Sequence, residues 1–349
     1  MSTDKGGERR RWGAFFRSWT HPQPEPWNTP RTAIWKKNKA TLWHYPAVRK
    51  IYQVPVFLIY SLVNRPIILD LAPGYSMVEA FVTSGFDVYL LDFGIPGYED
   101  KDLTMDDYIV DYIQKGVQRA LRHADVVDIT VIGYCLGGTF AAMYAAIAAE
   151  PIKNLILSVA PIDFTTSPVL DAWGEALREG DIDFDLFIQA YGIIPARSME
   201  AGMRLLTSPV YYSPYLSLLE RADDPQYVEK WRRFNDWTRG HIPFAGAALR
   251  QMLHDLGKEN KLVKGTLTIR GKPAHLASIH ANTLVIAANQ DRLVPKEVSL
   301  PIMDLISSAD KTFHLLPGGH TALKAKGVLP DYLAAWLPKR SHPINKTNT

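Results

Sequence analysis

One five-residue stretch limits the folds open to this chain: Gly133-Tyr134-Cys135-Leu136-Gly137. It stands between an apolar run, "DITVIG", and an Ala-rich run, "GTFAAMYAAIAA", and it holds the only cysteine of 349 residues. A residue on a sharp strand-to-helix turn points its side chain out above the carboxyl edge of a sheet. Its backbone is strained and its neighbours crowd in, so glycine is needed at positions −2 and +2. A helix starting beyond Cys135 would also direct its amide dipole at the sulfur and favour thiolate. The alternative is a small buried core cysteine, since free cysteine is among the most buried residue types. The strand-like run before it and the helix-like run after it are the context that the turn requires.

The flanking pattern agrees. "VPVFLIYSLV" from Val54, "DVYLLDFG" from Asp87 and "KNLILSVAP" from Lys153 read as further buried strands. "SMVEAFVTSG" reads as a helix with Ser76 near its start and Gly85 past its end. "LTMDDYIVDYIQKGVQRALRHA" is a long amphipathic helix with Thr104 and Asp107 as its capping pair. Strands alternating with helices predict a mostly parallel, doubly wound α/β sheet.

The alternation stops after the fourth strand. Residues 163–265 read as a mostly helical cap insertion, rich in aromatics that include Trp173, Tyr211, Trp231, Phe234 and Trp237. The sheet resumes with "NTLVIAANQD" and "KTFHLLPGGH", and "LPDYLAAWLPKR" closes the domain as a helix. The expected division is an N-terminal arm at 1–50, a core at 51–162 and 266–340, the insertion at 163–265 and a flexible tail at 341–349. The arm is expected to be extended on the domain surface, because prolines up to Pro30 exclude a helix.

Composition excludes several classes. A net charge of only +3 gives no bulk electrostatic argument for nucleic acid, and none is expected as a partner. A lone cysteine rules out an internal disulfide framework and a Cys-rich zinc site. Arg17 and His21 interrupt the apolar stretch near the start, and no small-residue cleavage site follows. The run Leu136 to Ala149 is too short to span a bilayer. A cytoplasmic protein without a transmembrane segment is expected.

A cysteine on such a turn needs an acid and then a histidine, in that chain order. Asp291 ends the strand "LVIAANQD" and His320 follows the strand "TFHLL". Both stand after late strands, where triad partners must lie to meet the turn. Alone, each has an ordinary explanation, a turn aspartate or an exposed histidine. Two backbone N–H groups must hold the developing oxyanion. They are expected at Leu136, which follows the nucleophile, and at Val63, in the loop after the first core strand.

With these residues in place, the chain resembles the catalytic subunits of polyhydroxyalkanoate synthases. The likeness runs from "IWKKNKA" through "NRPIILDLAPGYSMVE", "GYCLGGT", "WRRFNDWTRGHIPFAGAALRQ", "NKLVKGTLTIRGKPAHLASI", "ANQDRLVP" and "PGGH". It implies an α/β-hydrolase fold, with Cys135 as nucleophile, Asp291 as orienting acid, His320 as base and the insertion as a cap. The implied activity is acyl transfer from (R)-3-hydroxyacyl-CoA, with 3-hydroxybutyryl-CoA favoured, to a growing polyester at the surface of storage granules. CoA is the leaving group, and no metal or redox cofactor is expected. The chain is similar to the two-subunit kinds, which implies a second subunit of PhaR or PhaE type in a homo- or hetero-oligomer. A PhaR partner is preferred, although the Pro-rich arm departs from that type. Two rivals are a cysteine hydrolase of the dienelactone-hydrolase type and a non-catalytic granule-associated protein. A histidine near its ordinary pKa of about 6.5 would suit both proton transfers of the synthase.

Overall fold

Eight strands form the central sheet: β1 (Thr32–Lys37), β2 (Ala40–Tyr45), β3 (Val56–Ile59), β4 (Val88–Asp92), β5 (Ile129–Tyr134), β6 (Ile152–Ser158), β7 (Asn282–Ala288) and β8 (Lys311–Leu316). The computed structural model describes residues 12–13, 29–166, 184–207, 213–321 and 327–344. Most of the expected arm, part of the insertion with Trp173 and Tyr211, and the end of the tail lie outside them.

The strands lie in the order β1-β2-β4-β3-β5-β6-β7-β8. From β4 to β8 every pairing is parallel; β1 with β2 and β2 with β4 are antiparallel. β5 is buried along its whole length, as expected of a strand covered on both faces. Its β-branched Ile129, Thr130, Val131 and Ile132 suit the pleated surface.

α1 (Met77–Thr83) starts where the sequence predicts. Ser76 Oγ accepts the Glu79 N–H at 2.8 Å, and Gly85 follows at φ 95°. α2 (Lys115–Ala124) is preceded without a break by a π-type stretch, Asp107–Gln114. Its entry is closed by Thr104 Oγ1 accepting from Asp107 N at 3.2 Å, and by Asp107 Oδ2 accepting from Thr104 N at 2.8 Å. α3 (Leu136–Ile147) runs directly from the glycine-flanked turn. α2 and α3 cover one face of the sheet through Val117, Phe140 and Tyr144, all fully buried. The other face is covered by Val78 and Phe81 of α1, with Leu333 and Trp336 further along the chain. Burying each large apolar side chain contributes about 1.5–3 kcal/mol.

Between β6 and β7 the described residues form helices, among them α4 (Phe184–Tyr191), α5 (Ala196–Thr207), α6 (Ser213–Glu220), α7 (Pro225–Arg239) and α8 (Gly246–Gln251). The only strand pairings described within 184–265 join Ile193–Ile194 to Phe244–Ala245, outside the main sheet. α9 (Asp331–Trp336) closes the domain.

Two boundaries differ from the sequence expectation. Residues 32–45 of the expected arm are a β-hairpin that extends the central sheet, turned at Asn38 with φ 51°. Ala40 and Leu42 are buried in the core. The expected tail is pinned at its start. Gln53 N donates to His342 O at 3.0 Å, Ile344 N donates to Ile51 O at 2.8 Å, and Pro343 bridges Tyr52. Among the described residues, no helix is long and apolar enough to cross a membrane.

Candidate active site

The carboxyl ends of β5, β7 and β8 deliver the three expected side chains to one edge of the sheet. Tyr134 at the end of β5 pairs with Ser158 of β6, and Ser158 pairs with Ile286 of β7. Cys135 leaves β5 at φ 53° and ψ −129°, a backbone conformation costly for a residue with a Cβ. Its N–H donates to Ser158 O at 2.9 Å, and its carbonyl accepts from Gly138 N at 2.8 Å. The turn is therefore tied to the sheet before it and to the helix after it.

The flanking glycines are dictated by contact. A Cβ on Gly133 would lie 2.4 Å from Gly138 Cα, and one on Gly137 would lie 2.6 Å from the carbonyl oxygens of Ile59 and Tyr60. A Cβ on Gly138 would meet Ala160 Cβ at 2.5 Å. These distances are shorter than side chains tolerate, so helix α3 packs on β3 and β5 only with glycine here.

Asp291 follows β7 and its side chain is fully buried. Oδ1 accepts from Leu293 N and Val294 N, both at 2.9 Å, and Oδ2 lies 2.7 Å from His320 Nδ1. A carboxylate held this way fixes the imidazole so that Nδ1 carries a proton and Nε2 faces the substrate side. The loops bearing the two residues are also bound to each other. Asn289 N donates to Leu316 O at 2.9 Å, Gln290 N to Gly318 O at 2.8 Å and Gly318 N to Asn289 Oδ1 at 3.0 Å. Asn289 is a positioning residue that the sequence did not single out; an Asn directly after a strand was the available signal.

His320 departs from the ordinary value expected of it. Burial alone would lower its pKa, but the charge of Cys135 and hydrogen bonds to Asp291 and Cys135 outweigh it and push it up to about 10. The side chain is still 25% exposed, so solvent screens part of this rise. The Asp291 carboxylate and the charge of Cys135 both favour the protonated ring.

A cavity of about 340 Å³ opens over Cys135 and His320. Its core-side wall includes Tyr60, Leu69, Met77, Tyr134 and Val159; Tyr227, Lys230, Trp231 and Phe234 of α7 close it from above. Burial and the nearby charge of Cys135 raise the pKa of the Tyr60 hydroxyl well above its usual range, so it stays neutral. Helix α7 is fastened to the loop after β3. Asn64 Nδ2 donates to Trp237 O at 2.7 Å, and Trp237 Nε1 donates to Arg65 O at 3.0 Å. Arg233 Nη1 reaches Leu71 O at 3.2 Å.

The oxyanion expectation divides. Leu136 is the first residue of α3, so its N–H emerges at the helix start beside the sulfur. Val63 is misplaced. Its N–H donates to Ser61 Oγ at 3.2 Å and its carbonyl accepts from Ile242 N at 3.3 Å. β3 ends at Ile59, earlier than the apolar run suggests, so Tyr60 is the residue that leaves the strand into the cavity wall. Beside Gly137 the chain leaving β3 presents the carbonyls of Ile59 and Tyr60, which are acceptors rather than donors. Backbone donors carry no side-chain signature, and strand length alone decided the error.

The family model described as alpha/beta hydrolase fold matches residues 55–326. Among curated relatives, the poly(3-hydroxyalkanoate) polymerase subunit PhaC of Haloferax mediterranei is 35% identical over 90% of this chain, which spans 64% of that relative's length. The PhaC subunit of Allochromatium vinosum is 32% identical over 89% of each chain. That of Synechocystis is also 32% identical, over 89% of this chain and 85% of its own. The gathering of Cys135, Asp291 and His320 at one edge of this sheet, together with likeness over nine-tenths of the chain, leads to one conclusion: the chain belongs to the PhaC family of poly(3-hydroxyalkanoate) polymerases.

Proposed function

We propose that this polymerase works through a thioester on Cys135, with (R)-3-hydroxyacyl-CoA as acyl donor and 3-hydroxybutyryl-CoA as the preferred monomer. The observation that carries the reading is the convergence of Cys135 and His320 on one largely apolar cavity beneath helix α7. Attack by Sγ forms the Cys135–acyl bond and breaks the bond to the CoA sulfur, which leaves with a proton from His320. Exchange of one thioester for another is nearly isoenergetic, so the acyl group stays reactive. The 3-hydroxyl of a second monomer or a chain end then attacks it. His320 takes that proton, and the Cys135–acyl bond breaks as a more stable oxoester forms. The chemistry needs no metal or redox group.

The raised histidine supports this order of events. Its rise owes most to the charge of Cys135, and acylation removes that charge. His320 then loses its strongest reason to stay protonated at the moment a base is needed. Water must be kept from the acyl-enzyme, and the aromatic wall of α7 serves that purpose.

The relatives are each named as a subunit, which supports a second subunit of PhaR or PhaE type in a hetero-oligomer, and action at the polyester granule surface. The test is incubation with (R)-3-hydroxybutyryl-CoA, with the chain alone and co-expressed with each subunit type. Polymer plus CoA, strongest with the second subunit, supports the reading. Free acid plus CoA would instead identify a hydrolase. No turnover in any combination would leave a non-catalytic granule protein.

A further inference from the structure

We infer that Lys230 recognises the anionic, phosphate-bearing part of the CoA ester at the mouth of the cavity and sets the preference for CoA over neutral thioesters. This rests on the acyl-CoA reading above and adds a specificity-determining residue to it.

Four residues of α7 line the cavity: Tyr227, Lys230, Trp231 and Phe234. Their spacing of i, i+3, i+4 and i+7 puts them on one face of the helix. Three are aromatic, as a wall that excludes water requires, and Trp231 is only 7% exposed. A lysine on such a face is costly to desolvate, so it belongs where the apolar wall meets water or an anion.

Its surroundings place it at that boundary. Lys230 Nζ stands 3.8 Å over the ring of Tyr75, and Tyr75 is 39% exposed. The same lining includes the apolar Ile68, Leu69, Leu71 and Met77, together with Cys135 and His320. The cavity thus joins a lysine beside a half-exposed tyrosine, an apolar wall and a nucleophile. A ligand that fits this polarity has a short reactive acyl end, an uncharged arm and an anionic far end. An acyl-CoA has that form: its acyl thioester belongs at Cys135, and its phosphates lie at the other end of the pantetheine arm. Among the described residues lining this cavity, Lys230 is the only lysine or arginine, and the other basic group, His320, is engaged with Asp291. An ammonium binds phosphate as a flexible point charge, which suits a group entering from solvent.

The test compares (R)-3-hydroxybutyryl-CoA with the N-acetylcysteamine thioester of the same acid, which keeps the acyl group and lacks the phosphates. For the wild-type protein, Lys230→Met and Lys230→Arg, kcat/KM is measured on both. Lys230→Met should lower the CoA-to-neutral preference about fivefold or more, mainly through KM, and the difference should shrink as salt rises. Lys230→Arg should retain most of the preference. In parallel, binding of free CoA to Cys135→Ala and to Cys135→Ala/Lys230→Met is measured by calorimetry. Weaker binding to the double variant supports the inference. Equal CoA affinity, or equal loss on both thioesters, would overturn it and make Lys230 a shape-determining residue only. If the wild-type chain turns over neither thioester, the polymerase mechanism falls, while the CoA-binding comparison still decides the role of Lys230.

Discussion

His320 Nδ1 lies 2.7 Å from Asp291 Oδ2, while the other oxygen of the same carboxylate is occupied by two main-chain N–H groups. The carboxylate therefore cannot rotate away from the histidine without abandoning Leu293 and Val294. Orientation of the base is built into the loop after β7, before any substrate arrives.

Asp291→Asn should keep the fold and lose activity. An amide oxygen can still accept from Leu293 and Val294, but the amide nitrogen then faces Nδ1 and selects the wrong tautomer. A loss of about 10²–10⁴ in kcat is expected, by analogy with other His–Asp pairs. His320→Gln should lose more, because it removes the proton carrier itself, and Cys135→Ala should abolish CoA release. Steady-state kinetics with circular dichroism of each variant decide the matter. Equal tolerance of Asp291→Asn and His320→Gln would dissolve the triad.

The ionisation of His320 is open to direct measurement. In the resting protein its ring should remain protonated through neutral pH and titrate near 10. In Cys135→Ala the titration should move back toward the ordinary value of about 6.5, because the largest raising influence is gone. The stability consequence has a definite sign. A raised pKa contributes fully below the unfolded value of about 6.5 and is lost as pH climbs through the folded value near 10. The wild-type advantage in Tm over His320→Gln should accordingly shrink between pH 7 and 10. Proton NMR of the imidazole and thermal melts report both effects. A wild-type midpoint near 6.5 would remove the imidazolium from the resting state.

Glycine at the turn is expected to be irreplaceable for steric reasons. In Gly137→Ala the new Cβ would meet the carbonyls of Ile59 and Tyr60 at 2.6 Å, and backbone cannot swing aside as a side chain can. A cost of about 2–4 kcal/mol is expected. Gly202, within α5, makes the matched control: nothing lies within 4 Å of its added Cβ and its φ is ordinary. Gly202→Ala should stabilise by about 0.5–1 kcal/mol. Denaturant melts of the two variants should thus move in opposite directions; a neutral Gly137→Ala would contradict the close approach of α3 to β3.

What the sequence disclosed follows from where its information is carried. Cys135, Asp291 and His320 were legible because their chemistry needs particular side chains at strand ends, and those strands are continuous apolar runs. Helix α1 was legible because Ser76 and Gly85 mark its ends with conformations few other residues prefer. Residues 32–45 were not, because "TAIWKKNKATLWHY" mixes lysines with its aromatics and turns at Asn38 without a following glycine. Only the alternation of buried Ala40 and Leu42 marked it as strand. The pinning of residues 341–344 rests on main-chain bonds, which any residue can make. Tyr60, Lys230 and the rise of His320 depend on what the fold brings near Cys135, and no spacing in the chain encodes that.

The last prediction concerns the fastening of α7. Asn64 is 6% exposed, and its amide group is used from both ends: Nδ2 donates to Trp237 O at 2.7 Å and Oδ1 accepts from Arg65 N at 2.7 Å. It joins the segment beyond β3, which borders the candidate oxyanion site, to the C-terminal end of the helix that roofs the cavity. Asn64→Ala leaves the Trp237 carbonyl with Gly240 N alone, at 3.0 Å, and takes the acceptor from Arg65 N, at a cost of about 0.5–1.5 kcal/mol for each bond lost. Opening the roof relieves that cost by admitting water, so the variant should favour open states of α7 without touching the triad. Hydrogen exchange should then rise across Pro225–Arg239 while Ile129–Tyr134 stays unchanged. If the roof protects the acyl-enzyme, free 3-hydroxy acid should increase relative to polymer in the same variant. Unchanged exchange together with an unchanged acid-to-polymer ratio would show that Asn64 does not govern the roof. Raised exchange without extra hydrolysis would show that α7 moves but is not what excludes water.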